Sequence, residues 1–310
     1  MKKKTRTRIG SRPRKTRDVY NDRWTRLAWL VPVVLMTIAF GAVFTPTHHS
    51  LAKYPVALSS ARLDTLFETA ARLKTGERLA FWSEQLYKDP TLLAPLGRGP
   101  TIDDTAPVFP RTYDCTTFVE TVAALARSEG GRELADNVIA IRYRGGKVSY
   151  ETRNHFPEAD WIPNNERSGV LHDITTRVAR KTGFLVSFAS KDIDKLAWFK
   201  AQGAPSRVLA SSGGVTEPIT ARVPYVPFEH LGSAVKNVPE GAVVNVVRQS
   251  DDAHPVLISH QGFIVWKGDV AFLRHAARNK GIAEVPFARY VESMRNQPWR
   301  VVGFNFNAFN

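Results

Sequence analysis

A second cysteine is absent from this chain of 310 residues; Cys115 stands alone. No internal disulfide can form, so the thiol is either buried and inert or present for its reactivity. Acidic residues are almost missing from the first 26 positions. Only Asp18 and Asp22 stand there against eleven lysines and arginines, and this stretch carries +9 of the formal +14. The basic excess therefore belongs to a short polar tail, read as disordered. It is not the footprint of a nucleic-acid-binding domain, and no nucleic-acid partner is expected. Charge of either sign is missing from Leu27 to Phe44, a run of 18 residues that is long enough to span a bilayer as a helix. Pro32 and Gly41 are tolerated in such helices, and no polar face marks the run as a core helix. With the basic flank held in the cytoplasm, the expectation is a single-pass signal anchor in the inner membrane. Everything after about Thr45 is then periplasmic. The competing reading is a cleaved signal peptide and secretion to the periplasm. The long basic region and the lack of an A-x-A site after Phe44 argue against it. Internal repeats are absent too, as is low-complexity sequence outside the tail, which excludes a repeat array.

What is present reads as globular, at 43% hydrophobic and 23% charged residues. The chain divides into the tail (1–26), the membrane run (27–44), a polar linker (45–59) and one domain (60–310). Leu63, Leu66, Phe67, Ala70 and Leu73 are spaced as on a helix, and a second helix follows Gly76. A Pro/Gly-rich loop then leads into RTYDCTTFVETVAALA, where Asp114 is a good N-cap and Cys115 falls in the first turn. Gly130 and Gly131 are expected to end that helix. VIAIRYRGGKVSYETR, Val138 to Arg153, alternates on both sides of Gly145-Gly146 and is expected to be a β-hairpin. Signals from Val170 to Thr220 are mixed, with a short helix over about 192–202. Strands follow at GAVVNVVRQ, VLISHQGFIVWK, VAFLRHAAR and WRVVGFNFN, with a helix over Phe287 to Met294. Helices followed by an antiparallel sheet make an α+β fold.

The start of a helix suits a nucleophilic thiol. Unpaired N–H groups and the helix dipole favour the thiolate there, lowering its pKa, and can also hold an oxyanion. A nucleophile needs a base. Of the eight histidines, His260 in ISHQGF and His275 in LRHAA share a predicted hairpin. If Lys267-Gly268 is the turn, the two stand directly opposite; if Gly268-Asp269 is the turn, they are diagonal neighbours. Both registers leave the rings on one face and within reach. A cysteine and two histidines could also hold zinc, but no further cysteine and no HxxxH spacing supports a metal. The assignment is Cys115 as nucleophile, His260 as base and His275 as the group that orients it.

YDCTTFVE, VPEGAVVNVV, ISHQGF and LRHAA, in that order, resemble the NlpC-type, papain-like cysteine hydrolases of bacterial cell walls. Asp114-Cys115, His260-Gln261-Gly262 and His275 match that superfamily's nucleophile, base and orienting positions. IRYRGGKVSYETRNHFPEADWIPNN and the C-terminal segments are similar to one branch, described as N-acetylmuramoyl-L-alanine amidase-like. The resemblance covers roughly Leu63 to Phe306. It implies a papain-like fold in which N-terminal helices and the nucleophile helix pack on an antiparallel sheet. It also implies cleavage of the amide between the N-acetylmuramoyl lactyl group and L-alanine of peptidoglycan or a muropeptide, without a cofactor or metal. Wider relatives instead imply an endopeptidase acting between D-glutamate and the diamino acid, and a non-catalytic cell-wall scaffold is the third alternative. Two departures stand out. Thr116-Thr117 replaces Ser-Gly, and 145 positions separate Cys115 from His260. The insert, about 138–240, is where substrate recognition is expected. Arg142, Tyr143, His155, Trp161 and Asn164 are its candidates to line a cleft, by pairing with a carboxylate or stacking on sugar and peptide.

Overall fold

The computed structural model describes residues 61–93, 101–102, 106–107, 109–110, 112–204 and 218–310. The basic tail, the apolar run 27–44 and the linker lie outside these residues. Among the described residues no helix is long and apolar enough to cross a membrane.

Helix α1 (Ala61–Ala70) buries Leu63, Phe67 and Ala70, and α2 (Thr75–Lys88) buries Leu79, Trp82 and Leu86. Both apolar stripes follow the spacing expected of amphipathic helices. A short ribbon, β1 (Thr101–Ile102) with β2 (Ala106–Pro107), precedes α3 (Cys115–Arg127). Helix α3 ends at Ser128, two residues before the expected glycines. The Ser128 hydroxyl donates to the Ala124 carbonyl, satisfying one acceptor of the last turn.

The expected hairpin over Val138–Arg153 does not form. Its first half is helix α4 (Leu134–Arg142), followed by a 3-10 turn over Arg144–Gly146 and a lone bridge from Tyr143 to Arg153. The physical reason lies in periodicity. Leu134, Val138 and Ile141 recur at i, i+4 and i+7 and are all buried, so a helical stripe was hidden in an apparent alternation. Gly145 and Gly146 both take positive φ and turn the chain after the helix.

A π-helical turn (Pro157–Trp161) leads into α5 (Ile162–Arg167), β3 (Leu171–Asp173), α6 (Thr175–Arg180) and β4 (Ser187–Ile193). Helix α7 (Lys195–Ala201) falls inside the expected short helix, capped by the Asp194 carboxylate on the Ala197 N–H at 2.8 Å. β5 (Ile219–Pro227) and α8 (Phe228–Ala234) complete the insert. The C-terminal strands are β6 (Val243–Arg248), β7 (Ile258–Lys267), β8 (Val270–Ala277), β9 (Gly281–Pro286) and β10 (Val301–Phe309). Helix α9 (Phe287–Met294) lies between the last two.

The main sheet is antiparallel, in the order β4-β5-β10-β6-β7-β8-β9, with β3 also paired to β10. The insert is therefore not an appendage, since three of its strands extend the same sheet. One face carries α2, α3 and α4 over a core that includes Phe118, Val119, Val243, Val247, Phe263 and Val265. The other packs α6, α8 and α9 over Val244, Val246, Ile264, Leu273, Phe304 and Phe306. Helix α2 meets the entry to β6 so closely that a Cβ on Gly76 would lie 2.3 Å from the Glu240 carbonyl oxygen, which requires glycine there.

Candidate active site

Asp114 sets the start of α3. Its Oδ1 accepts the Thr117 N–H at 2.7 Å, and the Thr117 hydroxyl accepts the Asp114 N–H at 3.0 Å. This reciprocal cap makes Cys115 the first helical residue, partly exposed. Phe118, one turn on, packs edge-to-face on Phe263 of β7 and seats the helix on the sheet.

The hairpin turn is Gly268-Asp269, because Lys267 pairs with Val270. His260 and His275 are then diagonal, the second of the two registers considered. They are hydrogen-bonded, His260 Nε2 to His275 Nδ1 at 2.7 Å, with their rings perpendicular. Gly262 makes this contact possible. A Cβ there would stand 2.9 Å from the His275 Cβ and 2.8 Å from the Arg274 carbonyl oxygen. Tyr290 of α9 packs on both rings, at 6.2 Å from His260 and 5.4 Å from His275.

Alternation along β7 assigns Gln261, Phe263 and Val265 to the α3 face and His260 and Ile264 to the α9 face. β7 and β8 are registered only from Lys267–Val270 to Phe263–Arg274. Beyond that, β7 continues on β6 and β8 on β9. The Ile264 N–H bonds the Ala242 carbonyl on the β6 side, so the Gln261 N–H points the other way, towards β8. There it meets the Cys115 sulfur. The sulfur also interacts electrostatically with Tyr290, the residue that touches both imidazoles. No hydrogen bond joins Cys115 to His260 in this resting arrangement, among the described residues.

The electrostatics differ from the expectation of a lowered thiol pKa. Burial, reinforced by the Asp114 charge, pushes the Cys115 thiol up to about 11, and the Gln261 N–H only partly opposes it. Desolvation outweighs the helix terminus. Burial, then the neighbouring His275, holds His260 down to about 3, and burial holds His275 down to about 4. At neutral pH the thiol and both imidazoles are therefore uncharged.

The insert candidates take structural places. Arg142 is 1% exposed and bonds Glu120 of α3 through Nε at 2.7 Å. Tyr143 and Trp161 are 1% and 0% exposed, too deep to stack on a ligand. His155 donates its Nε2–H to the Tyr150 carbonyl (2.8 Å) and packs among Tyr150, Trp198 and Phe199. Asn164 bonds Asn154 and Arg167. Arg142, Tyr143 and Trp161 thus lie in the core, while His155 and Asn164 are half-buried and bonded within the segment that follows α4. Aromatic and charged residues in a loop-like sequence carried no signal of depth.

Sequence reasoning missed three features. Tyr290 lay on an unremarkable amphipathic helix. Glu158 on the π turn accepts the Leu257 and Ile258 N–H groups at the start of β7, fixing the strand that carries His260, and burial pushes it up to about 7. Gln261 belongs to a buried row of amides described below. Among the described residues no three His, Cys, Asp or Glu side chains are placed to hold a metal. A cavity of about 280 Å³ lies between the start of α2 and the turn into β6, away from the cysteine.

A family model described as AmiA-like, N-acetylmuramoyl-L-alanine amidase-like, matches residues 82–297, more than half of the chain. No curated protein sequence matches. Among solved structures, protein LPG0564 from Legionella pneumophila str. Philadelphia 1, of the DUF1460 family, is 26% identical with a TM-score of 0.68, over 80% of this chain and 93% of that one. An N-acetylmuramoyl-L-alanine amidase from Bacteroides uniformis gives a TM-score of 0.54 at 20% identity, over 76% and 99% of the two chains, a likeness of fold. Since the matched span holds Cys115, His260 and His275, and most of the sheet around them, the chain belongs to the AmiA-like, N-acetylmuramoyl-L-alanine amidase-like family.

Proposed function

We propose that this protein is a cysteine-dependent peptidoglycan hydrolase of papain-like, NlpC-type design that cleaves the amide between N-acetylmuramic acid and L-alanine. The observation that carries this reading is the bond from His260 Nε2 to His275 Nδ1, which occupies one ring nitrogen of His260 and leaves Nδ1 to act as the base. His275 then orients the base and fixes its tautomer.

The resting pair is neutral, so the reaction begins by general base catalysis. As the substrate carbonyl arrives, His260 Nδ1 takes the Cys115 proton and the sulfur attacks the carbonyl carbon. The N–H groups at the start of α3 hold the oxyanion. His260 gives its proton to the departing L-alanine nitrogen, the C–N bond breaks, and a thioester remains. Water then loses a proton to His260, attacks the thioester and releases the muramoyl carboxylate. The proton returns to sulfur. The uncharged run at 27–44 and its basic flank support an inner-membrane anchor with the catalytic domain in the periplasm.

The test is incubation of the full chain with purified muropeptides and mass spectrometry of the products. Free disaccharide together with free stem peptide is expected from wild type and not from Cys115→Ala. Equal cleavage by both proteins, or by neither, sinks the proposal, and cuts inside the stem peptide would make it an endopeptidase.

A further inference from the structure

Thr116 stands where related motifs carry serine, and the chemistry above assigns it nothing. Its hydroxyl donates to Gln261 Oε1 at 2.9 Å. Gln261 is buried, and its Nε2 donates to Asn245 Oδ1 at 2.8 Å. Asn245 donates in turn to Asn305 Oδ1 at 2.8 Å and Asn307 Oδ1 at 2.7 Å, and Asn305 donates to Asp173 Oδ2 at 2.6 Å. The amides come from β7, β6 and β10, neighbouring strands, so the row crosses the sheet under the helix face. A carboxylate only accepts, and with Asp173 at the far end each amide is oriented by the next. Gln261 must turn its oxygen to Thr116, and the Thr116 proton is committed to it.

The same hydroxyl oxygen lies 4.0 Å from the Cys115 sulfur. With its proton spent on Gln261, it offers sulfur a lone pair and not a donor. A Thr116 hydroxyl turned towards the sulfur would favour the thiolate. Gln261 also reaches the sulfur directly through its backbone N–H.

We propose that Thr116 and Gln261 are positioning residues, a pair that holds Cys115 as an oriented thiol at the edge of β7 until substrate binds. This rests on the cysteine mechanism above and deepens it. Besides this pair, the charged or titratable groups that act on the sulfur are Asp114 at the helix start and Tyr290 from α9, which packs on both imidazoles.

The experiment measures muropeptide hydrolysis and, separately, the pH dependence of iodoacetamide alkylation of Cys115, using the full chain. Thr116→Val should lower kcat by about tenfold or more with KM nearly unchanged, and Thr116→Ser should restore it. Gln261→Met frees the Thr116 hydroxyl to turn to sulfur, so alkylation should begin about half a pH unit or more lower than in wild type. Wild-type kcat in Thr116→Val, or an unmoved alkylation midpoint in Gln261→Met, overturns the proposal. If Gln261→Met does not fold, the Thr116 variants decide. If wild type cleaves no better than Cys115→Ala, the functional reading fails, and the alkylation profiles still judge the pair.

Discussion

Single atoms decide whether the two imidazoles meet. Gly262 has no Cβ, and His275 leans across the space this leaves. Gly262→Ala places a carbon 2.9 Å from the His275 Cβ. The expected outcome is loss of about 1–3 kcal/mol of stability in denaturant titration, with hydrolysis reduced far beyond what the unfolded fraction explains. Wild-type turnover in a folded Gly262→Ala would show that the ring contact is dispensable. Asp114 serves as cap and as charge. Asp114→Asn keeps a good N-cap but removes a charge that raises the thiol pKa. Alkylation of Cys115 should therefore begin at lower pH with the melting temperature little changed. Both histidines also link stability to pH. Their folded values lie below the ordinary 6.5, so the unfolded chain binds more protons between the two values. Their stability contribution is present above about 6.5 and is lost as pH falls towards 4 and below. Each ring contributes at most about 1.4 kcal/mol per pH unit. His260→Gln should flatten that part of the profile. Glu158 works in the opposite sense, because burial raises it to about 7. Its contribution is full below about 4.5 and fades as pH rises through 7, so Glu158→Gln should leave a steeper rise of stability with pH.

Helix α4 shows how an element can be misread. Val138, Ile139 and Ile141 satisfy a strand pattern and a helix pattern together, and only packing against α3 chooses between them. The choice also buries Arg142 against Glu120, turning a residue that looked like a carboxylate reader into a structural tie between α3 and α4. Arg142→Met removes the guanidinium bonded to the buried Glu120 carboxylate and should cost about 3–5 kcal/mol. Hydrolysis by the fraction that remains folded should keep its KM. A raised KM at unchanged stability would return Arg142 to substrate binding. Helices α3 and α7 were legible from sequence because caps and spacing agree within each, and α9, which has no side-chain cap, from its amphipathic spacing alone. The hairpin of β7 and β8 was legible because its turn fixes its register.

At the scale of the molecule, the sheet is continued by strands from the middle of the sequence. β3 and β5 both pair with β10, so the insert and the C-terminus share one ladder. The mixed signals of 170–220 hid this, since non-local pairing leaves no mark on local composition. The tail and apolar run make a separate prediction. The protein should sediment with membranes and resist extraction by alkaline carbonate, at full-length mass. A soluble product shortened beyond about residue 44 would establish a cleaved signal instead.

The first two helices, the cap on α3, the identity of the thiol and the pairing of two histidines on one hairpin were written in local sequence. Each depends on residues within a few turns of one another, where propensity, capping and alternation act directly. The close approach of Gly262 to His275, the neutral charge state of the site and the amide row beneath it were decided only by the tertiary structure. They arise from burial and from contacts between strands distant along the chain. Desolvation is a property of the surroundings, which no stretch of sequence carries by itself.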